Sequence, residues 1–173
     1  MPKIVILRGN SGSGKTTIAK ELQKLLGYGT MLISKDVLWL EIMHVKGQPN
    51  NKVAELMEIM ITFAFENCET VILEGILSSK VYEKLFDKIK YLYEDNTYAY
   101  YFDLTFEETL KRHAQRSTAH EFGETEMRTW WLEKDCLPNI SEKQLNAKMS
   151  KADIVDLILK DLKPLQTMRG LVI

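Results

Sequence analysis

The residues with the clearest chemical potential lie between positions 9 and 17. Gly9-Asn10-Ser11-Gly12-Ser13-Gly14-Lys15-Thr16 fits the pattern G-x-x-x-x-G-K-[ST] at every position, and Thr17 follows directly. Glycines let the backbone curl so that successive N–H groups point inward at phosphate oxygens. A helix opening near Gly14 adds the positive end of its dipole. Lys15 supplies a mobile positive charge for the β- and γ-phosphates of a nucleoside triphosphate, and the Thr16 hydroxyl can ligate Mg²⁺. A chance glycine-rich turn would need neither the buried strand before these residues nor the amphipathic helix after them, and both are present.

Such a cradle needs rigid elements behind it. Ile4-Val5-Ile6-Leu7 is apolar without alternation and rich in β-branched residues, as expected of a strand buried on both faces of a parallel sheet. Ile18, Leu22, Leu25 and Leu26 form a helical stripe that Gly27 and Gly29 close. Met31-Leu32-Ile33, Val71-Ile72-Leu73 and Ala99-Tyr100-Tyr101-Phe102 read as further strands. A mostly helical pattern follows Asp36 and breaks at the turn-forming Gly47-Gln48-Pro49-Asn50-Asn51. It resumes from Lys52 to Glu66, and again from Val81 to Tyr93, with Val81, Leu85, Phe86, Ile89 and Leu92 on one stripe. Thr105 with Glu108, and Ser150 with Asp153, fit capping boxes that open two later helices. A fifth strand is expected near Leu145 to Met149, where Ser141 with Gln144 also fits a capping box. Alternating strands and helices predict an α/β fold with a parallel sheet. The tail from Pro164 to Ile173 offers no pattern to read.

At 173 residues the chain is expected to form one domain over 1–173, large enough to bury a core without disulfide or metal staples. A formal net charge of −1 and a pI near 6.3 give no bulk attraction to nucleic acid or anionic membrane. Cys68 and Cys136 stand outside any metal-binding spacing and suit a reducing compartment. Met1-Pro2-Lys3 runs straight into a strand with no leader-like region, and no stretch reaches the ~20 apolar residues of a membrane span, so a cytoplasmic location is expected.

The segments Gly9 to Thr17, Ile33-Ser34-Lys35-Asp36-Val37-Leu38 and Arg112 to Arg116, in that order, resemble the small P-loop kinases. Within them the chain most resembles the group of zeta toxins, chloramphenicol phosphotransferase and the kinase domain of polynucleotide kinase. The resemblance spans roughly the first two-thirds of the chain at the level of motifs and their order. It implies a three-layer P-loop NTPase fold with a five-stranded parallel sheet and a helical lid around residues 112–135. It also implies an ATP–Mg²⁺ donor and transfer of the γ-phosphoryl group to a hydroxyl.

In that group an aspartate just after the second strand acts as base on the acceptor, and Asp36 stands at the matching place. A carboxylate at the carboxyl end of a strand beside the phosphate-binding strand faces the cleft of an open α/β sheet, where it can orient and deprotonate a hydroxyl. The alternative is that Asp36 caps the helix starting at Val37. Glu74, after Val71-Ile72-Leu73, resembles the acidic residue that ends the Walker B strand and would hold Mg²⁺ directly or through water. It could instead merely end a strand or touch the acceptor. Of Arg112, Arg116 and Arg128, one is expected to act from the lid on the transferring phosphoryl group, Arg116 first and then Arg112. The plainer reading pairs them with Glu108 or Glu124 on a solvated face. His113 and Asp103 read as structural, and the Trp130-Trp131 pair as packing, with one ring able to stack on a bound ring. By resemblance the adenine pocket falls around Ala147 to Ala152, and the absence of an N-K-x-D segment speaks against a GTPase.

These features point to transfer onto a small-molecule hydroxyl, with a nucleoside, sugar nucleotide or antibiotic-like compound as acceptor. The alternatives are a polynucleotide 5′-hydroxyl kinase, which needs a basic channel that the charge makes unexpected, and a nucleotide-binding regulatory module with little turnover.

Overall fold

Along β1, Lys3–Gly9, the side chains divide by parity. Ile4 and Ile6 enter one apolar cluster, Val5 and Leu7 the other, and all four are fully buried. A strand read as unbroken hydrophobic sequence is therefore the middle layer of a sandwich, with helices on both faces. The computed structural model describes residues 1–45, 51–115, 120 and 122–163.

After β1 come α1 (Lys15–Leu26), β2 (Thr30–Ser34), a π-helical turn (Val37–Ile42), α2 (Asn51–Asn67), β3 (Thr70–Gly75) and α3 (Glu83–Tyr93). Then follow β4 (Thr97–Phe102), α4 (Phe106–Ala114), α5 (Glu124–Thr129), β5 (Glu142–Leu145) and α6 (Lys151–Leu162). The five strands pair in parallel in the order β2-β3-β1-β4-β5. Residues of α2 and α3 cover one face, and residues of α1 and α6 the other. This is the P-loop NTPase fold. Its strand order brings the carboxyl ends of β2, β3 and β1 side by side, with Ser34 in register with Glu74 and Leu7 in register with the same Glu74. An open α/β sheet binds its ligands beyond such strand ends.

Several local expectations shift. The fifth strand lies at Glu142–Leu145, upstream of the expected Leu145–Met149, and the alternative Ser141–Gln144 helix start does not form. This is an edge strand whose Lys143 and Gln144 are exposed, with only Leu145 fully buried, so it lacks the apolar run that marks the other four. The helix expected after Asp36 is the π-helical turn, in which the Met43 N–H donates to Leu38 O. Val81 is exposed and precedes α3 instead of joining its stripe. Thr105 accepts from the Glu108 N–H at 3.2 Å, but Glu108 does not reach back, because its carboxylate pairs with Arg112. The Ser150–Asp153 box closes in both directions, at 2.8 and 3.2 Å. The turn expected at Gly47 to Asn50 and the tail from Pro164 lie outside the described residues, and Asn51 opens α2. Among the described residues no helix is long and apolar enough to cross a membrane.

Candidate active site

The cradle follows β1 without slack. Gly9 has φ +140°, and a Cβ there would lie 2.9 Å from Phe102 Cβ on the neighbouring strand. Gly12 has φ +77°, and a Cβ there would lie 2.4 Å from the Thr109 carbonyl of α4. At both positions a side chain would meet the left-handed backbone cost and a collision together. Lys15 is buried, and its Nζ donates to Asn10 O at 2.7 Å and to Ser13 Oγ at 3.1 Å, which holds it across the loop it belongs to. The Asn10 side chain faces another task. Its Nδ2 donates to Leu132 O at 2.9 Å and its Oδ1 accepts from Leu132 N at 2.8 Å, leaving its backbone to the cradle. Ser11 is half-buried and Thr17 exposed.

Three strand ends meet at Glu74. Its carboxylate is 1% exposed and accepts from Thr16 Oγ1 at 3.2 and 3.3 Å and from Ser34 Oγ at 2.5 Å. A buried carboxylate beside a threonine hydroxyl offers hard oxygen donors. Among the described residues no group of three or more His, Cys, Asp or Glu gathers for a metal. That sparse set fits Mg²⁺, which keeps several waters and takes one or two carboxylates plus substrate phosphates.

Asp36 follows the end of β2, and its side chain is 56% exposed. It makes no cap hydrogen bond to the turn that begins at Val37, so it is not spent on capping. Its recorded partner is the neighbouring Lys35, whose Nζ lies 3.3 Å from Asp36 Oδ1 and 4.2 Å from the centre of the Trp39 ring. Tyr82, almost fully buried, stands close enough to feel the Asp36 charge; burial first, and that charge second, push its hydroxyl up to about 12. Ser34 and Lys35 lie in the segment around Asp36 that carries the resemblance but have no role of their own there, Tyr82 lies in no motif, and only their neighbourhood to Asp36 and Glu74 draws attention to all three.

Of the three arginines, Arg112 is brought to the cradle. Its Nε donates to Glu108 Oε1 at 2.6 Å, and its Nη1 to Ser13 O at 3.3 Å. Its Nη2 points at Ala147 O, a longer contact of 3.5 Å, in the segment expected to hold adenine. Arg116 lies outside the described residues. Arg128 pairs with Glu124 at 2.7 Å and stacks on Phe106, 4.2 Å from the ring centre. His113 is buried, with Nε2 against Phe122 O at 2.8 Å and its ring stacked on that of Phe122. Trp130 and Trp131 pack edge-on against Phe122 and Phe106, and Asp103 is exposed, with its N–H bonded to Leu145 O.

Beneath the cradle lies Arg8, a charge with no functional signal beyond its place between an apolar run and Gly9. It is 1% exposed, and all five of its N–H donors are used. Nε and Nη2 donate to Leu77 O, Nη1 to both Glu142 oxygens, and Nη2 also to Asp135 Oδ2 at 2.6 Å. Asp135 in turn accepts from the Ser79 N–H and hydroxyl. One guanidinium thus ties the end of β1 to the chain after β3, to residue 135 and to β5.

A five-stranded parallel sheet carrying a complete G-K-T loop defines a P-loop nucleotide-binding protein. The chain belongs to the AAA domain family, whose pattern matches residues 5–131, a span that includes the cradle, Asp36, Glu74 and Arg112. Its fold is shared with solved P-loop kinases. The APS kinase CysC of Mycobacterium tuberculosis, in complex with AMPPNP and APS, is 18% identical with a TM-score of 0.64 over 94% of this chain and 98% of that one. A gluconokinase from Sinorhizobium meliloti 1021 is 13% identical, with a TM-score of 0.62 over 93% and 91%. The shikimate kinase from Acinetobacter baumannii, in complex with shikimate, is 15% identical, with a TM-score of 0.58 over 93% and 95%. At these identities the likeness is one of fold. No curated protein matches the chain.

Proposed function

We propose that this protein is a P-loop kinase that moves the γ-phosphoryl group of ATP, bound with Mg²⁺, to a hydroxyl of a small molecule. The observation that carries the reading is the meeting of three strand ends. Lys15 and Thr16 follow β1, Glu74 is the penultimate residue of β3, and Asp36 follows β2 with its carboxylate open to solvent and free of capping.

In this reading the cradle N–H groups and Lys15 hold the β- and γ-phosphates. Thr16 and Glu74 would hold Mg²⁺, which supplies neutralising charge to the phosphates. Asp36 takes the proton of the acceptor hydroxyl; that oxygen bonds to the γ-phosphorus as the bond to the β,γ-bridging oxygen breaks, and ADP leaves. Arg112, from α4, stabilises the charge on the transferring group, with Arg116 as a second lid arginine. The region around 112–135 would serve as lid and exclude water, within one domain over 1–173. We place the chain nearest the zeta toxin, chloramphenicol phosphotransferase and polynucleotide kinase group. Its two free cysteines agree with a cytoplasmic location.

A coupled ADP-release assay across nucleosides, sugar nucleotides, hydroxylated antibiotics, hydroxy acids and 5′-hydroxyl oligonucleotides tests the reading, with wild type and Asp36→Asn run in parallel. Stimulation by a small molecule that depends on Asp36 supports it. Stimulation by the oligonucleotides alone replaces it with a polynucleotide kinase. Tight Mg²⁺–ATP binding with no stimulation by any class replaces it with a regulatory module.

A further inference from the structure

Lys35 is the least expected charge beside Asp36. An ammonium carries three N–H donors, and withdrawing it from water costs several kcal/mol unless those donors are met. Lys35 is 5% exposed. Among the described residues its one hydrogen bond is the 3.3 Å contact to Asp36, longer than the roughly 2.7–2.9 Å of a good charge-assisted bond. The exposed Lys143 and Lys151, which water could serve, make tighter pairs, at 2.7 Å to Asp161 and 2.9 Å to Glu21. Lys35, though buried, is thus bonded more loosely than these exposed lysines. Its charge is otherwise met by the face of Trp39, which attracts a cation but accepts no conventional hydrogen bond.

The backbone makes room for this lysine. Gly75 has φ +157°, and a Cβ there would lie 2.7 Å from Lys35 Cβ. Any side chain at 75 would push the lysine stem aside. Two further polar groups of the same region are buried without a hydrogen-bond partner among the described residues, the Tyr82 hydroxyl and Trp39 Nε1. Tyr82 also lines a separate cleft of about 360 Å³, mixed in charge with Glu55, Glu58, Glu83, Lys80 and Lys84, which Lys35 and Asp36 do not line. Its hydroxyl, raised to about 12 mainly by burial, keeps its proton at neutral pH and can donate. Spare donors beside an exposed base call for an oxygen-rich, negatively charged partner, and a site with unmet buried donors rejects an analogue that cannot meet them.

We propose that Lys35 recognises an acid group on the acceptor, so that the substrate is a hydroxylated carboxylic acid or a phosphorylated alcohol and not a neutral sugar or nucleoside. This rests on the kinase reading above, and it specifies that reading further. Because Lys35 Nζ and Asp36 Oδ1 are 3.3 Å apart, the acid group and the reacting hydroxyl lie only a few bonds from each other on the acceptor. Carboxylate and phosphate share the chemistry that Lys35 reads.

The test uses the full chain with Mg²⁺–ATP and two sets of acceptors on common skeletons: glycerol, D-glycerate and glycerol 3-phosphate; glucose, gluconate and glucose 6-phosphate. The expected result is ADP release with an acid member at a KM at least about tenfold below that of its neutral twin, the loss of one charge-assisted hydrogen bond being worth that much. The carboxylate and phosphate arms tell the two sources of charge apart. Lys35→Met, which keeps the stem, raises that KM about tenfold or more with kcat little changed, and Lys35→Arg restores part of the loss. A neutral twin that performs equally, or a KM untouched in Lys35→Met, overturns the proposal.

A second readout does not need turnover. The chain has three tryptophans, so the Trp130→Phe/Trp131→Phe protein leaves Trp39 as its only indole. With ADP–Mg²⁺ in place, the acid probes should change its fluorescence saturably, and Lys35→Met should abolish the change. A saturable response without ADP release by any probe sinks the kinase reading while anion recognition stands. No saturable response to any of the four acids overturns anion recognition itself.

Discussion

On the donor side, the groups that would cradle the phosphates come from one run of chain, Gly9 to Thr17, backed by a buried strand and followed at once by α1, with Arg112 reaching in from α4. On the proposed acceptor side, Lys35, Asp36, Trp39, Gly75 and Tyr82 come from separate segments, after β2 and after β3, that the pairing of those strands brings together. The donor side has its lysine held on both sides by its own loop, whereas the acceptor side has an open carboxylate and a loosely bonded ammonium. A phosphate cradle recognises one unvarying group and can be encoded locally. An acceptor site answers to a variable partner, and its unmet donors are where selectivity resides.

The contrast can be probed by substitution, beginning where the effect should be largest. Lys15→Ala removes the charge facing the β- and γ-phosphates, and phosphoryl transfer should fall by about 10³-fold or more in a coupled assay. Near-normal turnover would remove the donor side from the argument altogether. Arg8→Met leaves Asp135 and Glu142 without their common cation, and should cost about 3–5 kcal/mol in urea unfolding, the range for breaking one partner out of a buried pair. A small loss would mean that the cradle stands without this support. Asp36→Asn should cut acceptor phosphorylation by ~10²-fold while leaving the Kd for ATP unchanged. Equal loss of nucleotide binding would show that the two sides are not separable. Ser34→Ala removes the hydroxyl that orients Glu74 at 2.5 Å, and should raise the Mg²⁺ concentration needed for half-maximal rate by about tenfold. An unchanged Mg²⁺ dependence would leave Glu74 to Thr16 alone.

The two sides also differ in how far they could be read in advance. The cradle was legible because its residues are consecutive and each has a conformational or charge reason to be there. Four of the five strands were legible because burial on both faces leaves an apolar run. The fifth lies upstream of the expected Leu145 to Met149, since Glu142-Lys143-Gln144-Leu145 is an edge strand whose one deeply buried charge, Glu142, is neutralised by Arg8 from the far end of the chain. Asp36 and Glu74 were reachable through their positions after strands. Lys35 was not, because a lysine beside an aspartate reads as surface until Gly75 and Trp39 are seen to enclose it. Sequence order alone ranks Arg112 above Arg128, and packing separates them: one lies on Ser13 O, the other on Phe106.

Periodicity, glycine placement and a complete motif were enough to mark four of the five strands, most of the helices and a candidate phosphate cradle, because those depend on residues near in sequence or on which face is buried. Tertiary structure alone decided that Arg8 fastens four segments under the cradle, that Ser34, Thr16 and Glu74 converge, and that Lys35 is enclosed beside an exposed Asp36. The physical reason is that whether a buried charge is met depends on partners dozens of residues away, and strand order, not local pattern, determines which of them arrive.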